Sequence, residues 1–110
     1  RGTSTFDGFS IAKSVLDYLI KSIKCIGLFT THYHMLCNFT NLDGLENFHM
    51  GYRFNPENQN VTFLYQLTPG PCSQSFGIQV AKLAGIPQEV LDIAGPKAEF
   101  MRNIRKDFTM

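Results

Sequence analysis

The first part of the chain alternates between apolar and polar positions with the period of an α-helix. Between residues 5 and 23, apolar side chains recur every three or four positions, and serines, lysines and an aspartate occupy the opposite face. Ser4 and Asp7 have the spacing of a capping box, in which each side chain bonds a free amide of the first helical turn. The pattern predicts an amphipathic helix over residues 5–23.

A short, unbroken apolar run follows this helix. Residues 25–30 show no polar alternation, which is typical of a strand covered on both faces in a parallel sheet. The run ends at Thr31-His32-Tyr33-His34, and residues 35–39 favour a short helix. The order of an amphipathic helix and a buried strand indicates an α/β fold.

The middle of the chain contains two β-prone segments, residues 47–54 and 61–67. Residues 55–60 between them are rich in asparagine and proline, which are turn formers. The pattern predicts an antiparallel β-hairpin, which Pro69-Gly70-Pro71 ends.

Two short helices are predicted in the last third. Ser75 is placed to cap the first, Gly85 to end it, and Pro87 to begin the second. Two helices joined by a short turn that contains glycine have the form of a helix-turn-helix. Gly95-Pro96 is expected to break or sharply kink the chain beyond the second helix.

Composition narrows the class of protein. With 110 residues, 44% of them hydrophobic and 17% charged, the chain is expected to form one small globular domain. The net charge of +1 offers no electrostatic argument for binding nucleic acid or a membrane surface. No run approaches the roughly 18 apolar residues of a membrane span. Three scattered cysteines argue against a disulfide framework.

Three motifs resemble those of the MutS family of DNA mismatch-repair ATPases. Residues 1–8 are similar to the segment that follows the family's Walker B strand. Residues 29–34 are similar to its next strand and switch histidine, and residues 75–87 to its C-terminal helix-turn-helix. The resemblance implies the C-terminal part of an ABC-type (P-loop) ATPase domain over residues 1–72, including the hairpin. A helix-turn-helix dimerisation element and a tail would then occupy residues 73–110.

Within the family, residues 24–25, 61–65 and 70–77 are most similar to the eukaryotic sixth MutS homologue, which pairs with the second homologue. The resemblance implies a nuclear subunit of a heterodimer that binds mismatched duplex DNA through upstream domains. It also implies that ATP and Mg²⁺ bind at a composite site shared by two subunits, where binding and hydrolysis of ATP signal repair.

The resemblance also implies roles for particular residues. His32 corresponds to the switch histidine on the γ-phosphate side of the ATP site. The chemistry agrees, because ligands bind at the carboxyl ends of parallel strands and an imidazole can donate to phosphate or orient water. The residues that correspond to a loop crossing toward the partner's nucleotide are Gly2, Thr3, Ser4 and Thr5. The residues that correspond to the dimerisation element are Ser75, Phe76, Val80 and Leu91.

The chain also departs from a complete ATPase. It contains no Gly-x-x-x-x-Gly-Lys-[Ser/Thr] phosphate loop, and no Asp-Glu pair precedes Arg1. We therefore expect that it starts just after Walker B, and that alone it neither binds ATP tightly nor hydrolyses it. The alternative function is a non-catalytic dimerisation or interaction module derived from a MutS-like protein.

Single residues also suggest other roles, such as metal binding, but the sequence supports them less well. A zinc site at His32, His34 and Cys37 would need His49 or Cys72 from far along the chain, so no metal is predicted. His34 is expected to pack against or cap the short helix. For Ser4 and Asp7 the capping role is sufficient, although Ser4 can serve in both roles.

Reading of DNA by the second predicted helix is also disfavoured. Residues 88–94 contain Glu89 and Asp92 but neither arginine nor lysine, and a helix that reads a DNA groove is expected to carry positive charge. Contact with another protein is the prediction for this helix.

Overall fold

The structure, a computed structural model, describes residues 4–39, 42–72 and 74–107, with the side chains of residue 39 and residues 105–107 left out. The predicted loop residues Gly2 and Thr3 lie outside this range. The chain divides into two compact units. Unit 1 is Arg1–Gly51 with Tyr65–Ser73, and unit 2 is Tyr52–Leu64 with Gln74–Met110. The predicted boundary at residue 72 stays a prediction, since compactness does not test which residues belong to an ATPase domain.

The predicted N-terminal helix is confirmed. Helix α1 spans Thr5–Tyr18, and a π-helical turn continues it over Leu19–Ile23. The Ser4 hydroxyl accepts a hydrogen bond from the Asp7 amide at 3.2 Å, which satisfies one of the free donors of the first turn. Lys24, with a left-handed backbone (φ 55°), ends the helix.

The predicted hairpin is also confirmed. Strand β1 (Phe48–Asn55) pairs with strand β2 (Asn60–Pro69) in a two-stranded sheet, and the four residues between them form the turn. The Asn55 and Asn58 side chains accept hydrogen bonds from backbone amides two residues further on, at 2.9 and 3.0 Å, which stabilises the turn. Beyond β2, the Gly70 amide donates to the Asn47 carbonyl at 2.9 Å, and the ladder ends there.

The predicted strand at residues 25–30 is wrong for this chain. These residues have no regular structure and all are exposed, Ile26 completely and Leu28 to 93%. A parallel strand receives its backbone hydrogen bonds only from neighbouring strands. The sheet within the described residues consists of β1 and β2, so nothing there pairs with residues 25–30. We call residues 25–30 the apolar segment.

Unit 2 contains two consecutive helices, α2 (Gly77–Leu83) and α3 (Gln88–Asp107). The Gly85 amide bonds the Lys82 carbonyl at 3.1 Å and the Ile86 amide bonds the Ala81 carbonyl at 3.0 Å, which is a Schellman motif. Gly85 can adopt the required φ of 88° without strain. The predicted end of this helix at Gly85 is therefore confirmed.

Two predictions for unit 2 are wrong. Ser75 does not cap α2, because Phe76 occupies the N-cap position and makes no side-chain cap bond. The predicted break at Gly95-Pro96 is also wrong, because α3 runs through Pro96. The alternative, a sharp kink there, stays a prediction. Proline removes one backbone hydrogen bond, and the remaining bonds of a 20-residue helix keep it continuous.

Each unit has a small core. Among the described residues, the buried apolar side chains are Leu16 and Leu36 in unit 1 and Val61 and Leu91 in unit 2. Many other large apolar side chains are exposed. Within the described residues, no helix has the combined length and hydropathy needed to cross a bilayer. The chain is a small α/β structure with helices and a two-stranded sheet.

Candidate functional site

His32 lies between the apolar segment and a short 3₁₀ helix, His34–Phe39. We call residues 31–36 the His32 segment. The Tyr33 amide donates to the Thr31 hydroxyl at 3.0 Å, and the Leu36 amide donates to the Tyr33 carbonyl at 3.0 Å. Leu36 is 3% exposed, so the end of the segment belongs to the core of unit 1. The backbone around His32 is therefore defined by local bonds and one buried side chain.

Aromatic contacts orient the His32 ring. It stacks on the Tyr33 ring, with centroids 4.8 Å apart and an interplanar angle of 25°. The Tyr33 ring in turn makes an edge-to-face contact with Phe9 of α1, at 6.2 Å and 87°. Offset stacking and edge-to-face geometry are the favoured arrangements of such rings. The His32 imidazole is exposed to solvent but has a defined orientation relative to α1.

Two further histidines bond the chain that follows β2. His34 Nδ1 lies 3.1 Å from the Cys72 carbonyl oxygen, and His49 Nδ1 lies 2.9 Å from the Gly70 carbonyl oxygen. A carbonyl oxygen can only accept, so each Nδ1 carries a proton and donates it. His34 thus contacts a segment 38 residues away, and this favours a structural role for it.

The remaining loop residues lie at the start of α1. The Ser4 oxygen accepts the capping bond, which leaves its hydroxyl proton available to donate. Thr5 is exposed in the first turn. Since Phe9 of the same helix contacts Tyr33, the helix that Ser4 caps also packs against the His32 segment.

The four residues predicted to dimerise have different environments. Ser75 is exposed, and Val80 is 46% exposed on α2. Phe76 is half-buried and packs against Tyr52 and Phe54, with ring centroids 4.4 and 6.3 Å away. Leu91 is 6% exposed and belongs to the core of unit 2. Of the four, Ser75 and Val80 present the most surface to a partner.

The helical period predicts Leu83 on the same face of α2 as Val80, and Val90 on the same face of α3 as Leu91, whereas it does not single out Ile93. We use the name α2–α3 apolar surface for the exposed apolar residues Val80, Leu83, Val90 and Ile93 of the two helices. The pattern placed Val90 on the same face as Leu91, whereas the structure buries only Leu91. Helical periodicity identifies an apolar face, but neighbouring residues at its edge point in directions 100° apart, and packing decides which is covered.

Among the described residues, other polar groups line a groove in unit 2. An open groove of about 280 Å³ in unit 2 lies between the hairpin turn and the two helices. Its rim carries four carboxamides, and Lys82 donates to the Asn58 carbonyl there at 3.5 Å. Across the part of the chain that the structure describes, no three His, Cys, Asp or Glu residues are grouped to hold a metal ion.

Comparison with known proteins agrees with these motifs. MutS domain V matches residues 1–102. The chain is 42% identical to the DNA mismatch repair protein MSH7 of Arabidopsis thaliana, over 98% of this chain and 11% of that protein. It is 44% identical to MSH3 of Coccidioides immitis, over 96% of the chain and 10% of that protein. It is 42% identical to the MutS protein of Pelotomaculum thermopropionicum, over 84% of the chain and 10% of that protein.

The chain spans about a tenth of the length of these curated relatives. The match with MutS domain V nevertheless covers the capped helix, the His32 segment, the hairpin, helix α2 and α3 as far as residue 102. The chain belongs to the MutS family of DNA mismatch-repair proteins.

Proposed function

We propose that this chain is the part of a mismatch-repair ATPase that carries the switch histidine and contacts the second subunit. The observation that carries the proposal is the exposed His32 imidazole on a segment ordered by Tyr33 and Leu36. Its position in the motif resembles that of the family's switch histidine. An imidazole N–H in this position donates to the γ-phosphate or orients the attacking water.

The groups present fit two places in the proposed dimer, with His32 on the γ-phosphate side of the ATP site and Ser4 directed toward the partner's nucleotide. His32 supplies an exposed ring, and Ser4 supplies a hydroxyl proton at the start of α1. The 110 residues contain no phosphate-loop motif, so the phosphate cradle and the Mg²⁺ ligands have to come from outside them. When bound, Mg²⁺ neutralises charge that develops on the transferred phosphoryl group.

The test is His32→Ala in the full-length protein with its partner subunit. Loss of one positioned donor typically lowers the rate about 100-fold. We expect steady-state ATP hydrolysis to fall by roughly that factor, while mismatch binding without nucleotide is unchanged. Tyr33→Phe is the matched control, since it keeps the stacking ring. Unchanged hydrolysis in His32→Ala would reduce the residue to a structural role and favour the non-catalytic interaction module.

The partner of the α2–α3 apolar surface is proposed to be a second MutS-family subunit. Exposed apolar patches on small proteins mark contact sites, and α3 begins with Glu89 and Asp92, which repel DNA phosphates. In the full-length protein, Val80→Asp is expected to weaken subunit association about tenfold or more without loss of helix content. Sedimentation and circular dichroism measure the two effects. Retained dimer affinity with lost DNA binding would contradict this assignment.

The subfamily is part of the same proposal. Similarity of residues 24–25, 61–65 and 70–77 to the sixth eukaryotic homologue supports a nuclear protein that pairs with the second homologue and contacts mismatched DNA through other domains. The relatives named above include eukaryotic and bacterial proteins. Co-purification with the second homologue, rather than with an identical copy, tests it.

A further inference from the structure

The contacts of His34 give it a role other than packing. It is the first residue of the 3₁₀ helix and follows His32 by two positions. Its Nδ1 donates to the Cys72 carbonyl at 3.1 Å, which links the His32 segment to the chain beyond β2. This bond lies within unit 1, like the Tyr33–Phe9 contact.

Several contacts hold the segment that carries the His32 ring. The backbone bonds of Thr31 and Leu36 lie within the segment, and the buried Leu36 side chain anchors its end in the core of unit 1. The Tyr33–Phe9 contact and the His34–Cys72 bond join the segment to other elements. A hydrogen bond with a defined direction restricts rotation of the segment about the ring contact.

We propose that His34 is a positioning residue for His32, acting through the bond from its Nδ1 to the Cys72 carbonyl. The proposal rests on the function proposed for His32. His34 does not contact the nucleotide in this scheme. It keeps the backbone that carries the His32 imidazole in place while the reaction occurs. Displacement of a catalytic group by about 1 Å is enough to slow a reaction about 100-fold.

The structure offers a matched control. His49 makes the same type of bond, from Nδ1 to the Gly70 carbonyl at 2.9 Å, two residues away from Cys72. His49 lies on β1, outside the His32 segment. Loss of either bond removes a contact to the chain beyond β2, but only the His34 bond holds the segment that carries His32.

The experiment compares variants of the full-length protein with its partner subunit. In His34→Ala, kcat for ATP is expected to fall about tenfold, with KM for ATP changed less than about twofold. His34→Asn should restore at least half of kcat, because the Asn amide nitrogen stands close to the place of Nδ1. His34→Gln, whose amide lies one bond further out, should not. His49→Ala should keep kcat within about twofold.

A role through His32 also predicts non-additivity. The double variant His32→Ala/His34→Ala should hydrolyse ATP no more slowly than His32→Ala alone, since His34 has nothing left to position. An additive loss would overturn the proposal, as would full kcat in His34→Ala or an equal loss in His49→Ala.

If His32→Ala itself is unimpaired, the function proposed for His32 fails. If only His32→Ala is impaired, the positioning role alone fails. Thermal melts of all variants separate these outcomes from unfolding.

Discussion

The apolar segment at residues 25–30 and helix α3 are both rich in apolar side chains that remain exposed. They nevertheless have different structures. Helix α3 is regular over 20 residues, even through Pro96, whereas the apolar segment has no secondary structure. An α-helix forms its hydrogen bonds within itself, from each amide to the carbonyl four residues earlier. A strand forms them only with another strand.

The difference shows which elements of this family's fold can form from local sequence. Helices α1, α2 and α3 and the hairpin are built from partners close in the sequence. A parallel strand needs partners far away in the chain, and the described sheet offers none to the apolar segment. Ile26 and Leu28 therefore stay exposed in this chain.

The largest effect is expected in the core of unit 2. Leu91→Asp places a charge where the side chain is 6% exposed, and it should destabilise the chain by more than about 3 kcal/mol. Val90→Asp, on the neighbouring half-exposed position, should change the stability by less than about 1 kcal/mol. Thermal melts followed by circular dichroism compare the two. Similar destabilisation by both would mean that α3 packs with a different face.

Two substitutions in α3 test how much its backbone contributes to the stability of the chain. Pro96→Ala restores an amide that can donate to the Asp92 carbonyl, and it should raise the stability by about 1–3 kcal/mol. Gly95→Ala should add about 0.5–1 kcal/mol, since a methyl group there meets no atom within 4 Å other than the nearby backbone of α3 and its chain neighbours. Chemical denaturation measures both. A loss of stability in Pro96→Ala would show that packing around the proline, and not the helix backbone, dominates.

The apolar segment should respond very differently in two contexts. In the 110-residue chain, Leu28→Asp should change the stability by no more than about 0.5 kcal/mol, because the side chain is 93% exposed. In the full-length protein, where we expect other residues to cover this apolar run, the same change should cost more than about 2 kcal/mol. Urea denaturation of both proteins gives the comparison. Equal small effects would mean that the segment stays exposed in the full-length protein.

The smallest effect concerns an ion pair on α1. A hydrogen bond from the Lys13 ammonium, 2.7 Å from both carboxylate oxygens, lowers the pKa of Asp17. The stabilisation is fully present above the carboxyl's unfolded pKa of about 4 and is lost as the pH falls through its lower folded-state pKa. The difference in Tm between the natural chain and Asp17→Asn should therefore be small at pH 7 and should disappear as the pH falls through the lowered pKa of Asp17. If the difference in Tm stays constant as the pH changes, it does not come from the charge of Asp17.

Several features followed from the sequence because short-range chemistry determines them. Ser4 caps α1, Gly85 ends α2, and the asparagine-rich turn joins β1 to β2, each through groups within a few residues. The family could also be identified from the sequence, for a related reason. Its motifs are contiguous runs whose order can be read without coordinates, and the match over residues 1–102 agrees with them.

Other features were decided only by tertiary structure. The sequence places His32 next to Tyr33 and His34, but not Tyr33 against Phe9 or His34 against the Cys72 carbonyl. Nor does periodicity reveal that Leu91 is buried while Val90 is half-exposed. These outcomes depend on which distant groups share space, because packing and long-range hydrogen bonds join residues with no fixed sequence separation. The apolar segment shows the same dependence, because residues 25–30 have strand-forming composition but no strand to pair with.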